Sequence, residues 1–190
     1  MKIYTGTGDR GKTSLFSGER VSKSSLRITT YGDLDELNSV IGALAAAIDE
    51  GQKGLKDELK TAQILLLDAG AWLATTPGSA AERFLKPFTD SPAATLEKAI
   101  DRMTEALPEL KHFILPGGHL SASLAHIART VCRRTERRLI ELMEQENAPS
   151  DADETLKRIL VFLNRLSDYL FVVARYCNYL HGQEDVLWKA

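Results

Sequence analysis

Leu34, Leu37, Val40, Ile41, Leu44 and Ile48 recur at the spacing that gathers apolar side chains on one face of an α-helix. A second such stretch runs from Leu55 to about Ala74, with Gly51 and Gly54 punctuating the two. After a Pro-, Gly- and Ser-bearing connection from Thr75 to Pro92, a third helix is predicted to about Leu107, where Pro108 closes it. Pro116-Gly117-Gly118 cannot continue a helix and suits a tight turn. Beyond it the pattern predicts a fourth helix from about Ser121 to Gln145 and a fifth from Glu154 to about Leu180, separated by Asn147, Pro149 and Ser150. By contrast, the first thirty or so residues are rich in Gly, Ser, Thr, Lys and Arg without periodicity and read as an extended or looped segment. The expected fold is an all-α, five-helix bundle preceded by an extended N-terminal segment.

At 190 residues and 44% hydrophobic content, the chain suits a single domain. Its divisions are an N-terminal segment over 1–30, a bundle over 31–182 and a tail over 183–190. A net charge of -2 and a pI near 6.1 exclude the broad basic field that general nucleic-acid or anionic-membrane binding uses, so any anion site must be local. No secretory leader pattern or membrane-length apolar run is evident, and Cys132 and Cys177 fall inside predicted helices as core thiols. The expectation is a cytoplasmic protein that needs no disulfide.

Charge clusters in one place. Five arginines lie between Arg129 and Arg138. On the helical wheel Leu120, Leu124, Ile127, Val131 and Leu142 gather on one side, with Arg129, Arg133 and Glu136 opposite and Arg137 beside them. Such a run is either a solvated face or a polyphosphate or carboxylate site, since guanidinium forks make bidentate bonds to those oxygens, and Glu136 is expected to fix some of the arginines. The fifth helix is apolar around most of its circumference, more than one bundle face requires, and carries Asn164, Asp168 and Arg175 on a narrow stripe. Asp35 points away from the apolar stripe of the first helix.

Gly6-Thr7-Gly8-Asp9-Arg10-Gly11-Lys12-Thr13 has the spacing of a phosphate-binding P-loop, but no buried strand precedes it and no α/β alternation follows. A glycine-rich loop with hydroxyls can wrap a triphosphate on another scaffold. His112, His119 and His126 recur every seventh residue, yet the Pro-Gly-Gly turn denies them a common metal face, and no metal ligand set is expected.

In order along the chain, four blocks resemble the PduO-type ATP:cob(I)alamin adenosyltransferase family. They are Tyr4-Thr5-Gly6-Thr7-Gly8-Asp9-Arg10-Gly11, Gly32-Asp33-Leu34-Asp35-Glu36-Leu37-Asn38, Phe113-Ile114-Leu115-Pro116-Gly117-Gly118 with Arg129 to Arg137, and Phe162 to Phe171. The resemblance implies the ferritin-like bundle of that family, assembled as a homotrimer that binds ATP and cobalamin between subunits. Thr5, Gly6, Thr7, Gly8, Thr13, Ser14 and Lys23 would hold the nucleotide from one subunit. Arg133, Arg134, Thr135, Glu136, Arg137, Asn164 and Asp168 would hold it from the next. Asp35 and Arg129 would form a salt bridge near the corrinoid, and Phe113 would occupy the lower axial face of cobalt.

The implied reaction transfers the 5′-deoxyadenosyl group of ATP to cob(I)alamin and releases triphosphate, with Mg2+ assisting. It further implies a flavoprotein that reduces cob(II)alamin and an adenosylcobalamin-dependent enzyme as partners. The alternatives from other classes are a non-catalytic ATP-binding trimer that senses ATP or delivers cofactor, a P-loop NTPase and a purely structural trimer. Phe113 with the Asp35 and Arg129 pair is what a plain sensor does not need.

Overall fold

The computed structural model describes residue 4, residues 6–146 and residues 150–188, with side chains omitted over 150–153. Thr5, expected in the nucleotide set, lies outside the described residues, as do Asn147 and Pro149 of the predicted last connection. The helices are α1 (Leu26–Ala46), α2 (Lys53–Leu73), α3 (Ser91–Thr104), α4 (Leu120–Glu146) and α5 (Ser150–Leu180). Ahead of them, β1 (Lys12–Ser14) and β2 (Arg20–Ser22) form an antiparallel hairpin with Thr13 opposite Val21.

The helices neighbour one another in the order α2, α1, α4, α5, α3. The ends of this row are drawn together where Arg102 of α3 and the Tyr169 hydroxyl of α5 both bond Glu58 of α2. Antiparallel packing of α1 on α4 is fixed by ion pairs of Arg27 with Glu146 and of Glu36 with Arg134. The core is a continuous cluster of Leu37, Ile41, Leu59, Leu66, Phe162, Leu166 and their neighbours, each buried leucine contributing about 2 kcal/mol. The Arg27 guanidinium, itself buried, also donates to the carbonyls of Leu73 at 2.8 Å and Thr75 at 3.1 Å, tying together the start of α1 and the ends of α2 and α4.

Several expectations change. α1 begins at Leu26, inside the segment expected to be irregular, α3 stops at Thr104 short of Leu107, and Gly54 sits within α2. Leu120 and Ile127, expected on the packed side of α4, are 63% and 50% exposed. Alanines 122, 125 and 128 are buried instead. At the start of α4, which packs on both α1 and α5, the buried apolar positions are small side chains that let the backbones approach, and Leu120 and Ile127 lie on the flank, whereas Val131, Leu139 and Leu142 further along are buried. α5 is buried on most sides as expected, but Arg175 leaves the stripe of Asn164 and Asp168. It is covered by the C-terminal tail, donating to Asp185 at 2.7 Å and to the Pro108 carbonyl at 2.8 Å.

Candidate functional site

The glycine-rich loop is not a P-loop, since it leads into a strand of the hairpin rather than into a helix. It is folded by bonds from Asp9 N to Gly6 O and from Gly11 N to Gly8 O, both 3.3 Å, and by the Arg20 guanidinium donating to Thr7 O at 2.8 Å. Lys23 stands over it, and a β-carbon on Gly8 would lie 3.1 Å from Nζ, close enough that the ammonium would have to draw back slightly. Gly6, Thr7, Gly8 and Lys23 are thus brought together. The hairpin docks on the bundle through Phe16 N to Ala74 O at 2.7 Å and through Ser17 Oγ and Thr76 Oγ1 at 3.2 Å. Thr13 and Ser14 then border a hollow of about 480 Å³ that Tyr31, Asp35 and Asn38 of α1 also line.

The arginine run of α4 divides into two sets. Arg134 pairs with Glu36 and Asp33, and Arg138 with Glu141 at 3.0 Å and Asp33 at 3.9 Å, so these two bind α4 to α1 and to itself. Arg133 and Arg137 are exposed and make no ion pair with a described residue. Glu136 does not fix the arginines as expected; its Oε1 accepts from Asn164 Nδ2 at 2.9 Å. Asp168 is held by Arg165 at 2.8 Å. Thr135, expected among the nucleotide contacts, is 0% exposed with its hydroxyl donating to Val131 O at 3.0 Å, so it faces the core. Asn164, Glu136, Arg133 and Arg137 together form a polar face on α4 and α5.

A third group surrounds Phe113, which is 79% exposed. The C-terminal tail pairs with its segment as an isolated antiparallel bridge, Leu115 N donating to Val186 O at 2.8 Å and Trp188 N to Phe113 O at 2.7 Å. The Trp188 ring meets Phe113 edge-on at 6.3 Å between centroids. Just after it, Asn178 anchors the turn into α4, accepting from His119 N at 2.9 Å and donating to Gly117 O at 3.1 Å. Phe113, Pro116, His126, Arg129, Phe171 and Trp188 line a hollow of about 780 Å³. Arg129 Nε is sealed from solvent without a hydrogen-bond partner, and burial, then the charge of Arg133, pulls the guanidinium below its ordinary pKa. His126 is 4% exposed, with Nδ1 sealed and unpartnered; burial, then Arg129, lowers its pKa.

Phe113 and Arg129 therefore share one hollow, while Asp35 lies in another with Thr13 and Ser14; the expected Asp35 to Arg129 salt bridge is not made within one chain. Sequence reasoning missed His126 as a site residue, the Asn178 anchor and the tail bridge. The available signals were a histidine flanked by Ala125 and Ile127 and the apolar Val186-Leu187-Trp188 ending.

Residues 3–177 match the cobalamin adenosyltransferase family. A corrinoid adenosyltransferase of Bacillus subtilis (strain 168) is 48% identical over 192 residues, covering 100% of this chain and 93% of that protein. Corrinoid adenosyltransferase MMAB of Mus musculus is 43% identical over 190 residues, covering 99% and 77%. A solved variant of a PduO-type ATP:corrinoid adenosyltransferase from Lactobacillus reuteri, complexed with cobalamin and ATP, superposes with a TM-score of 0.89 at 40% identity, covering 100% of both chains. Family match, relatives aligned over nearly all of this chain and a common bundle agree, and the chain belongs to the cobalamin adenosyltransferase family.

Proposed function

We propose that this chain transfers the 5′-deoxyadenosyl group of ATP to cob(I)alamin, forming adenosylcobalamin and releasing triphosphate, at sites built between copies of a homotrimer. The observation that carries the assembly is a pair of unmatched charges. Arg129 has a sealed, unbonded Nε, and Asp35 is exposed with no ion pair to a described residue. A sealed N–H on a charged group that lacks an acceptor is costly, so a carboxylate from a second copy is the natural complement. Docking the α1 face of one copy on the α4–α5 face of the next also brings the Gly6 to Ser14 loop and Lys23 toward Arg133, Arg137 and Asn164.

The chemistry requires no general base. The electron pair of cobalt(I) forms a bond to the ribose 5′ carbon, and the carbon–oxygen bond breaks with its electrons leaving on triphosphate. The protein's share is to align the two reactants and to meet the charge that develops on the leaving group. Lys23, Arg133 and Arg137 supply cations, and the loop supplies backbone and hydroxyl donors. Phe113, presented to the hollow by the tail bridge, excludes water and any lower axial donor, which eases reduction of cob(II)alamin. No group of three or more His, Cys, Asp or Glu among the described residues could hold a metal. Magnesium fits here only as an ion carried chiefly by the triphosphate, which it would help neutralise.

As a working organisation, residues 1–30 supply the nucleotide loop, 31–182 the bundle and 183–190 the tail of one domain. Among the described residues no helix is long and apolar enough to cross a membrane, and two free, buried thiols suit a reducing, cytoplasmic setting. A cob(II)alamin-reducing flavoprotein and an adenosylcobalamin-dependent enzyme complete the proposed partners. The test is anaerobic mixing of chemically reduced cob(I)alamin with protein, with and without Mg-ATP, followed by absorbance. Conversion that needs both protein and ATP is expected; ATP binding without conversion would turn the reading to a sensor or delivery protein.

A further inference from the structure

The Phe113 hollow holds a buried polar side chain that the reaction outlined above leaves without work, whereas Lys111 and His112 on its wall are exposed. His126 projects from α4 into the wall of the hollow, one helical turn before Arg129, and is almost wholly buried. Its ring plane is held by an edge contact with Phe171, 6.1 Å between centroids at 63°. Neither ring nitrogen makes a hydrogen bond within the described chain, and only Nδ1 is sealed from solvent. Buried polar groups are normally paired, so an unpaired imidazole beside a cavity points to a partner that the chain itself does not contain.

The tautomer follows from the same geometry. Burial and the Arg129 charge keep the ring neutral near pH 7, leaving one proton for two nitrogens. A proton on Nδ1 would bury an unpaired N–H, at a cost of about 1–3 kcal/mol. It belongs on Nε2, which is not sealed, and the side chain therefore offers the hollow a donor. That donor shares the hollow with Phe113, Pro116, Phe171 and Trp188, with Lys111, His112 and Arg129 also on its wall, and it suits a partner that brings an apolar body and a hydrogen-bond acceptor such as a carbonyl oxygen. Corrinoids have that composition, an apolar macrocycle rimmed by carboxamides.

Building on the corrinoid reading of this hollow, we infer that His126 is a corrinoid-recognition residue whose Nε2–H donates to a carboxamide oxygen on the macrocycle rim. It touches substrate but not the reacting atoms, so its loss appears in corrinoid affinity rather than in ATP affinity or in turnover at saturation.

The experiment titrates cob(II)alamin into the full chain with Mg-ATP, for the wild type and for His126→Phe, His126→Leu and His126→Gln, with helix content checked for each. Phe and Leu remove the donor at different sizes, whereas Gln keeps an N–H at similar reach. Phe and Leu are each expected to weaken corrinoid binding about tenfold with ATP affinity unchanged, and Gln to remain within about threefold of wild type. Wild-type affinity in either donor-free variant, or equal losses in Phe, Leu and Gln, would overturn the assignment. Failure of the wild type to bind cob(II)alamin would overturn the corrinoid reading together with it. Normal wild-type binding combined with indifferent variants would remove the role of His126 alone.

Discussion

Replacing Gly118 by alanine should unfasten the turn that carries Phe113. Gly118 has φ of 96°, and a β-carbon there would collide with the Asn178 carboxamide. Left-handed backbone costs alanine about 1–2 kcal/mol. Relief of the collision must move Asn178 away from His119 N and Gly117 O, and two hydrogen bonds at about 1 kcal/mol each are lost with it. Asn178 is itself buried, and leaving its amide unpaired adds a further penalty of about 1 kcal/mol or more. The sum is near 4 kcal/mol. For a chain of this size that lowers Tm by about 8–16 °C, read by circular dichroism at fixed protein concentration. A Tm within about 2 °C of wild type would refute the account, because the backbone strain alone exceeds that.

Phe113→Ala should lower turnover about a hundredfold, about 2.7 kcal/mol of transition-state stabilisation, while ATP affinity measured by calorimetry stays at the wild-type value. Arg137→Ala, which removes a cation with no ion-pair partner among the described residues, should raise KM for ATP by at least about tenfold. Arg134→Ala, whose charge already serves Asp33 and Glu36 at the surface, should instead cost about 1 kcal/mol of stability or less, seen in urea melts. The pKa of His126 is depressed in the folded chain, so the unfolded chain takes up that proton first as acid is added. The stability tied to the neutral ring is fully present above pH of about 6.5 and declines below it. The Tm of His126→Phe, measured against wild type at each pH, should therefore improve steadily toward pH of about 5.5, and a difference independent of pH would contradict the buried, neutral ring.

Helical periodicity located all five helices, because each buries a stripe that the apolar spacing records. It could not decide which positions at the start of α4 face inward: the spacing of Leu120 and Ile127 is as regular as that of the alanines, and the choice depends on how close α1 and α5 come. Nor could it sort the arginines, since Arg134 and Arg138 are claimed by Asp33, Glu36 and Glu141, and two of these acids lie a hundred or so residues away. Thr135 fell into the candidate site because it stands within the motif, whereas the helix turns its side chain to the core. His126 went unread for the opposite reason. A lone histidine on an apolar flank is ordinary in sequence, and only the absence of a hydrogen-bond partner among the described residues gives it meaning.

The separation of the hairpin hollow from the α4–α5 face has a genetic consequence. Under head-to-tail closure each site takes one half from each of two copies, so lesions in different halves are not equivalent to one lesion counted twice. A chain broken at Asp35 and a chain broken at Arg133 would each be inactive alone, yet within one mixed ring the intact loop side of the second can meet the intact arginine side of the first. Two inactive alleles should thus restore partial activity when expressed together, whereas two lesions in the same half should never complement.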